Sequence, residues 1–245
     1  MLVVGSYVSP YVRKVLACLA LKGLAYDIDP ITPFYGDEQF TRLSPLRRIP
    51  VLVDGDVVIA DSSVICAHLD ERYPARPLLP ADPADRARAR WLEEFADSRM
   101  GEVFIWRMFY PLAVGPAVFG DTGDAAAVEH NRAHDVPAVL DYLESQLPAQ
   151  GWLFGEIGLA DVAVAAFFRN AGFVNFQVDA ERWPKTSSFV ERALAHPALA
   201  ALHEFEALNR RTGPGRLREA LAEAGAPISA ASYGQPVPRR GVMKL

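Results

Sequence analysis

Three consecutive apolar residues, Leu2, Val3 and Val4, are followed within a few positions by Ser9-Pro10, beyond which Val12, Val15, Leu16 and Leu19 recur at helical spacing. The first run predicts a short strand. The second predicts an amphipathic helix, with Arg13, Lys14 and Lys22 elsewhere around the turn and Gly23 at its end. A strand over 25–29 follows, then an irregular stretch through Pro33 and Gly36 with a brief helix over 37–43. Val51-Leu52-Val53 and Val57-Val58-Ile59 flank Asp54-Gly55, a hairpin signal, because a two-residue primed turn takes positive φ at both positions. Asp61 and Ser62 then open a helical pattern of Val64, Ile65, Leu69 and Tyr73, stopped by Pro74. The order β-α-β-(α)-β-β-α fills the first 75 or so residues.

Pro77, Pro80 and Pro83 make the next stretch a linker, and everything beyond it reads as helix. Long segments run over about 84–112, 125–147 and 159–171, with shorter ones over 185–195 and 198–210. The expected organisation is therefore α/β plus all-α: a mixed domain over 1–75, a helical domain over 84–212 and a tail over 213–245. A chain of 245 residues is long enough for two such cores.

Thirty acidic against 25 basic residues give a formal charge of −5, which argues against a broad nucleic-acid-binding surface. The two cysteines, Cys18 and Cys66, fall inside helix-like apolar patterns, so a disulfide framework is not expected. The apolar start lacks a basic flank and breaks at Ser9-Pro10, too early for a signal peptide. No run reaches the roughly 18 apolar residues of a membrane span. These features point to a cytoplasmic protein with neither nucleic acid nor membrane as a partner.

Candidate chemistry begins at Ser9. A serine N-cap followed by proline at the first helical position places a hydroxyl at the positive end of a helix dipole, where anions, a thiolate among them, are stabilised. Ser9-Pro10-Tyr11-Val12-Arg13-Lys14-Val15 resembles the opening of the first helix in the cytosolic glutathione S-transferases. Ser44-Pro45-Leu46-Arg47-Arg48-Ile49-Pro50 resembles that family's NPxGKVP turn, Asp61-Ser62 its Glu-Ser pair, and Gly158-Leu159-Ala160-Asp161 its helix start with an S/T-x-x-D capping box. Together they cover about residues 2–210 in the family's order.

The resemblance implies a thioredoxin-like domain followed by a helical bundle, with the serine-type active site of bacterial members. It implies glutathione as co-substrate, no metal, a hydrophobic electrophile as second substrate, and a homodimer. In such a site a cis Pro50 lets Ile49 pair with the cysteinyl backbone of the tripeptide like an added strand. Ser62 would hold the γ-glutamyl carboxylate at a helix N-terminus, with Asp61 facing the ammonium although it is one methylene shorter than the usual glutamate. Arg47 and Arg48 stand where the family has Gly-Lys; Arg48 is the candidate for the glycine-end carboxylate, a solvated surface arginine being the other reading for either, and Tyr11 lies in the first helical turn.

Ser9 has the energy for thiol activation. Lowering a thiol pKa from about 8.5 by about 2 units takes roughly 2.7 kcal/mol. One charge-assisted hydrogen bond supplies about 1.5–3 kcal/mol and a helix N-terminus about 0.3–1. Tyr7, just after the first strand, is the rival for the same role. The absence of cysteine at position 9 argues against the thiol-transferase branch of the family. A non-catalytic interaction module and a glutathione-dependent isomerase or dehalogenase remain alternatives, because fold alone does not separate them.

Further along, Met100, Phe104 and Met108 share one helical face, with Arg107 and Tyr110 close by, and together they make a candidate second-substrate pocket. His130 and His134 have the i, i+4 spacing of metal ligands but lack the glutamate of H-E-x-x-H and a third ligand, so no metal is assigned. Residues 226–245 contain no acidic side chain, and Arg239, Arg240 and Lys244 give the segment three positive charges. With Ile228, Tyr233, Val237 and Val242 as anchors and three prolines stiffening the path, this tail is expected to lie along the protein, partly covering the cleft beside Tyr110 or the subunit partner. On that expectation, its removal affects the hydrophobic substrate more than glutathione.

Overall fold

The computed structural model describes residues 1–241, so Val242 and Lys244 of the tail lie outside the described residues. By contact the chain forms two compact units, Met1–Leu78 together with the stretch from Pro197 onward, and Leu79–His196. Residues 197–212, read from sequence as part of the helical domain, thus belong with the N-terminal sheet.

The first unit is built on β1 (Leu2–Val4), α1 (Pro10–Lys22), β2 (Asp27–Asp29), α2 (Glu38–Leu43), β3 (Val51–Asp54), β4 (Val57–Ile59) and α3 (Ser62–Arg72). Its four strands run in the order β2-β1-β3-β4, with β1 parallel to β2 and antiparallel to β3. The hairpin is displaced one residue from its expected place: Asp54 pairs with Val57, so the loop is Gly55-Asp56. Only Gly55 takes positive φ there, at 62°, as a glycine-first primed turn requires.

Helix α1 departs from the amphipathic expectation. Arg13, Lys14 and Lys22 are buried along with its apolar residues, because other elements of the unit pack around it. Each buried charge has a partner: Arg13 meets Glu206, Lys14 donates to Ser63 Oγ at 3.2 Å, and Lys22 donates to Asp70 and to the Arg76 carbonyl.

The second unit is helical. Pro83–Phe95 (α4) continues without a break through wider, π-type turns over Ala96–Val114 and into Gly115–Phe119 (α5). It is followed by Ala125–His130 (α6), a π-type turn at Asn131–Asp135, Val136–Gln146 (α7), Leu159–Phe173 (α8) and Pro184–Ala195 (α9). Helix α8 is buried on nearly every side, and Phe104 packs against Phe168 and Phe176 with ring centroids 5.2 and 5.8 Å apart.

Back in the first unit come Pro197–Ala200 (α10), His203–Arg211 (α11) and Pro214–Glu223 (α12). The sequence pattern ran the first two together, and the structure divides them at residues 201–202.

Candidate functional site

Strand register brings three of the predicted motifs to one end of the sheet. Val4 is opposite Val51, so the corner that leaves β1 lies beside Ile49-Pro50, which enters β3. Because Ile59 pairs with Leu52, β4 returns to that same end before Asp61 and Ser62 open α3. Gly5 makes the junction tight. At φ 156°, a Cβ there would stand 2.5 Å from a Val12 methyl and 3.3 Å from the Ile49 Cβ, so only glycine lets the corner approach both.

Ser9 caps α1 as expected, in extended conformation (φ −78°, ψ 128°). Its Oγ accepts from the Val12 N–H at 3.4 Å, a long bond that leaves the hydroxyl proton available to donate, and the side chain is half-buried. Tyr7 has a different setting. Its residue is 1% exposed, its ring packs on Phe205 at 5.1 Å, and its hydroxyl has no hydrogen-bond partner among the described residues. Burial first, and neighbouring Tyr26 second, push the phenol well above its ordinary pKa. Tyr7 is thus enclosed where Ser9 is half-buried. Tyr11 is half-buried in the first turn of α1.

At the start of α3, Asp61 is the N-cap: one carboxylate oxygen accepts from Ser63 N–H at 2.9 Å and from Val64 N–H at 3.0 Å. Ser62 is the first helical residue and is buried at 5% exposure, against an exposed Asp61. The Ile49–Pro50 peptide is cis, as the resemblance implied.

The adjacent arginines behave oppositely. Arg48 is exposed, with its backbone held by Ser44 Oγ in both directions. Arg47, a solvated surface arginine on the sequence reading, folds inward at φ 50°. Its guanidinium donates to the carbonyls of Pro33 (3.1 Å), Gly36 (2.7 Å) and Asp37 (3.3 Å), and to the Thr41 hydroxyl. Left-handed backbone at a non-glycine residue costs about 1–3 kcal/mol, which these bonds offset.

In the second unit, Met100, Phe104 and Met108 are each fully buried. They form core, with the Phe104 ring against Phe168 and Phe176. Arg107 is half-exposed and pairs with Glu102 and Asp135, while Tyr110 lies against Trp106 at 5.7 Å. His130 and His134 stack at 4.4 Å on an exposed surface, and a His134 ring nitrogen sits 3.0 Å from the His130 carbonyl. At α8 half of a capping box forms: Gly158 supplies no side chain, but its N–H donates to Asp161 at 2.9 Å, as does the N–H of Leu153.

Three residues of α11 that sequence reading passed over hold the β1–α1 corner. Glu206 pairs with Arg13 while both are fully buried, Asn209 accepts from Ser6 Oγ at 2.8 Å, and Phe205 covers Tyr7. Each is some 200 residues from its partner, and no local pattern announces such a pairing.

Comparison with known proteins agrees with this fold. Residues 3–77 match the N-terminal domain model of the glutathione S-transferases and residues 105–197 their C-terminal domain model. Glutathione S-transferase Z1 of Arabidopsis thaliana is 47% identical over 78 residues, 31% of this chain and 35% of that protein, so the match spans about a third of that relative's length. Glutathione S-transferase U7 of the same plant is 28% identical over 204 residues, 80% of this chain and 83% of that one. A glutathione S-transferase from Rhodospirillum rubrum superposes with a TM-score of 0.76 at 25% identity, covering 87% of this chain and 94% of its own. With two domain models matched in order and the fold reproduced, the chain belongs to the cytosolic glutathione S-transferase superfamily.

Proposed function

We propose that this protein binds glutathione at the sheet end formed by Ser9, Ile49-Pro50 and Asp61-Ser62, and that Ser9 stabilises the bound thiolate for attack on the electrophilic carbon of a hydrophobic substrate. In that reaction the thiol proton passes to solvent, a sulfur–carbon bond forms, and the electron pair leaves with the displaced group or settles on the substrate. The observation that carries the reading is the Ser9 cap: its hydroxyl keeps a donatable proton at a helix N-terminus, just past the corner where Gly5 approaches Ile49. The α3 N-terminus would take the γ-glutamyl carboxylate through Ser62 and the first backbone amides, and Arg48 the carboxylate at the glycine end. Relatives bearing the glutathione S-transferase name over four-fifths of this chain support the same reading. A cytoplasmic homodimer is the assembly we assign, and light scattering of the purified protein reads its mass.

The test is the thiolate absorbance of the glutathione complex, titrated with pH in the wild type and in Ser9→Ala. Depression of the thiol pKa in the wild type and its return towards the free value in Ser9→Ala is the expected result. If Ser9→Ala leaves the pKa unchanged and Tyr7→Phe raises it, the role passes to Tyr7. Product analysis over a panel of electrophiles separates conjugation from isomerisation or dehalogenation, and glutathione binding without turnover of any of them indicates an interaction module.

A further inference from the structure

We infer that the C-terminal segment Pro227 to Arg239 is a positioning strap, which holds the loop over 33–38 that anchors Arg47 and thereby the turn that presents Arg48 and Ile49 to glutathione. The inference rests on the glutathione-binding reading above.

Strand β2 is the edge of the sheet and only three residues long. The tail completes it: Ile28 N–H donates to the Pro227 carbonyl at 2.7 Å and Ser229 N–H to the Ile28 carbonyl at 2.9 Å, a parallel bridge between Ile28 and Ile228. Next to that bridge Asp29 is fully buried. Its carboxylate accepts from Tyr233 N–H at 2.7 Å, from Ser232 Oγ at 2.9 and 3.1 Å, and from Arg218. The tail then runs alongside residues 33–38. Asp37 N–H donates to Tyr233 O at 2.8 Å, Gln235 N–H to Tyr35 O at 2.7 Å and Arg239 N–H to Phe34 O at 2.9 Å, while the Arg239 guanidinium pairs with Glu38. The Tyr233 side chain packs into the cluster of Val4, Ile31, Phe40 and Val51.

The same short loop is gripped on its other side by Arg47, through the carbonyls of Pro33, Gly36 and Asp37. Arg47 is covalently next to Arg48 and one residue from Ile49. The loop over 33–38 is thus held between the tail and the residue that aims the tripeptide platform. Without the tail, three main-chain hydrogen bonds and one ion pair leave this loop, and the acceptors that keep Arg47 turned inward at φ 50° lose their support. Ser9 lies on α1, and the tail contacts described here leave it untouched. This reverses the order expected from sequence: loss of the tail weakens glutathione binding directly, through the first unit.

Calorimetry with glutathione on a chain ended after Gly225 tests the strap. We expect a dissociation constant raised about tenfold, a matching rise in KM for glutathione, and an unchanged pKa of the bound thiol at saturation. A synthetic peptide of residues 226–241 should restore affinity to the shortened chain. Because that chain could fail to fold, Arg239→Ala and Ser232→Ala in the full-length protein serve as the second measurement, with smaller rises of the dissociation constant, about two- to fourfold each. Wild-type affinity in a folded shortened chain overturns the strap, and so does wild-type affinity in both point variants. A bound-thiol pKa that moves together with affinity also overturns it, since the tail would then act through Ser9. Failure of the wild type itself to bind glutathione brings down the parent reading, and the strap with it.

Discussion

The starts of α1 and α8 show two uses of the same helix physics. At α8 the carboxylate of the first turn is spent within the fold: Asp161, 1% exposed, accepts from the N-cap amide of Gly158 and from the amide of Leu153 in the preceding loop. At α1 the cap is a half-buried hydroxyl with one long bond to Val12, and the corner in front of it is kept narrow by Gly5. A helix start satisfied by its own carboxylate contributes to folding. One satisfied weakly keeps its field for an incoming anion.

Substitutions break this comparison in order of size. Asp161→Ala should be the most damaging to the fold, costing about 2–4 kcal/mol of unfolding free energy, because it leaves two inward amides without acceptors. A urea midpoint within error of wild type would show that α8 does not depend on its carboxylate. Ser9→Ala should do the reverse. We expect the bound thiol pKa to rise by about 1–2 units, while stability falls by no more than about 1 kcal/mol.

Ser62→Ala tests whether α3 is of the α1 kind or the α8 kind. Loss of about 1–2 kcal/mol in glutathione affinity at unchanged stability places it with α1; equal affinity leaves Ser62 a simple helix-start residue, with Asp61 doing the capping. The smallest effect is expected at α9, whose first amides are capped from a neighbouring helix. Glu144 on α7 accepts from the N–H groups of Lys185 and Thr186 and from the Thr186 hydroxyl. Burial pushes its carboxyl up, but these donors outweigh it and hold the group below its ordinary value. A depressed folded pKa means that the contribution is present above the unfolded value and is lost as pH falls through the folded one. Glu144→Gln should therefore flatten the acid side of the stability profile by about 1 kcal/mol, as read by denaturation at pH 3, 5 and 7.

What was legible in the sequence was local. Ser9-Pro10 named a cap, Gly23 a helix end, and the two β-branched runs around Asp54 a hairpin, because each signal concerns bonds made within a few residues. The family motifs added the cis Pro50. Long-range decisions were not legible. Arg13 and Lys14 read as a polar helix face, yet Glu206 and Ser63 draw them inside; Arg47 reads as a surface arginine, yet three carbonyls of the preceding loop turn it inward. Met100, Phe104 and Met108 had the spacing of either a pocket or a core, and only the surrounding aromatics decide for core. The tail carries no strand-like alternation, so its pairing with Ile28 depends on an edge whose vacancy the sequence does not announce.

The pairing of Ile28 with Ile228 also has a meaning in time. During synthesis the sheet, α1 and α3 leave the ribosome first and the second unit follows, but Glu206, Arg218 and Tyr233 are still unmade. Until the tail has been made, β2 stays an open strand edge, Asp29 lacks the tail's hydrogen-bond donors, and Arg13 lacks its carboxylate. The first unit is finished only once its tail has been made. A ribosome stalled before the tail is made would release a chain that holds every strand of the sheet and still an unfinished edge, the kind of intermediate that aggregates or is degraded.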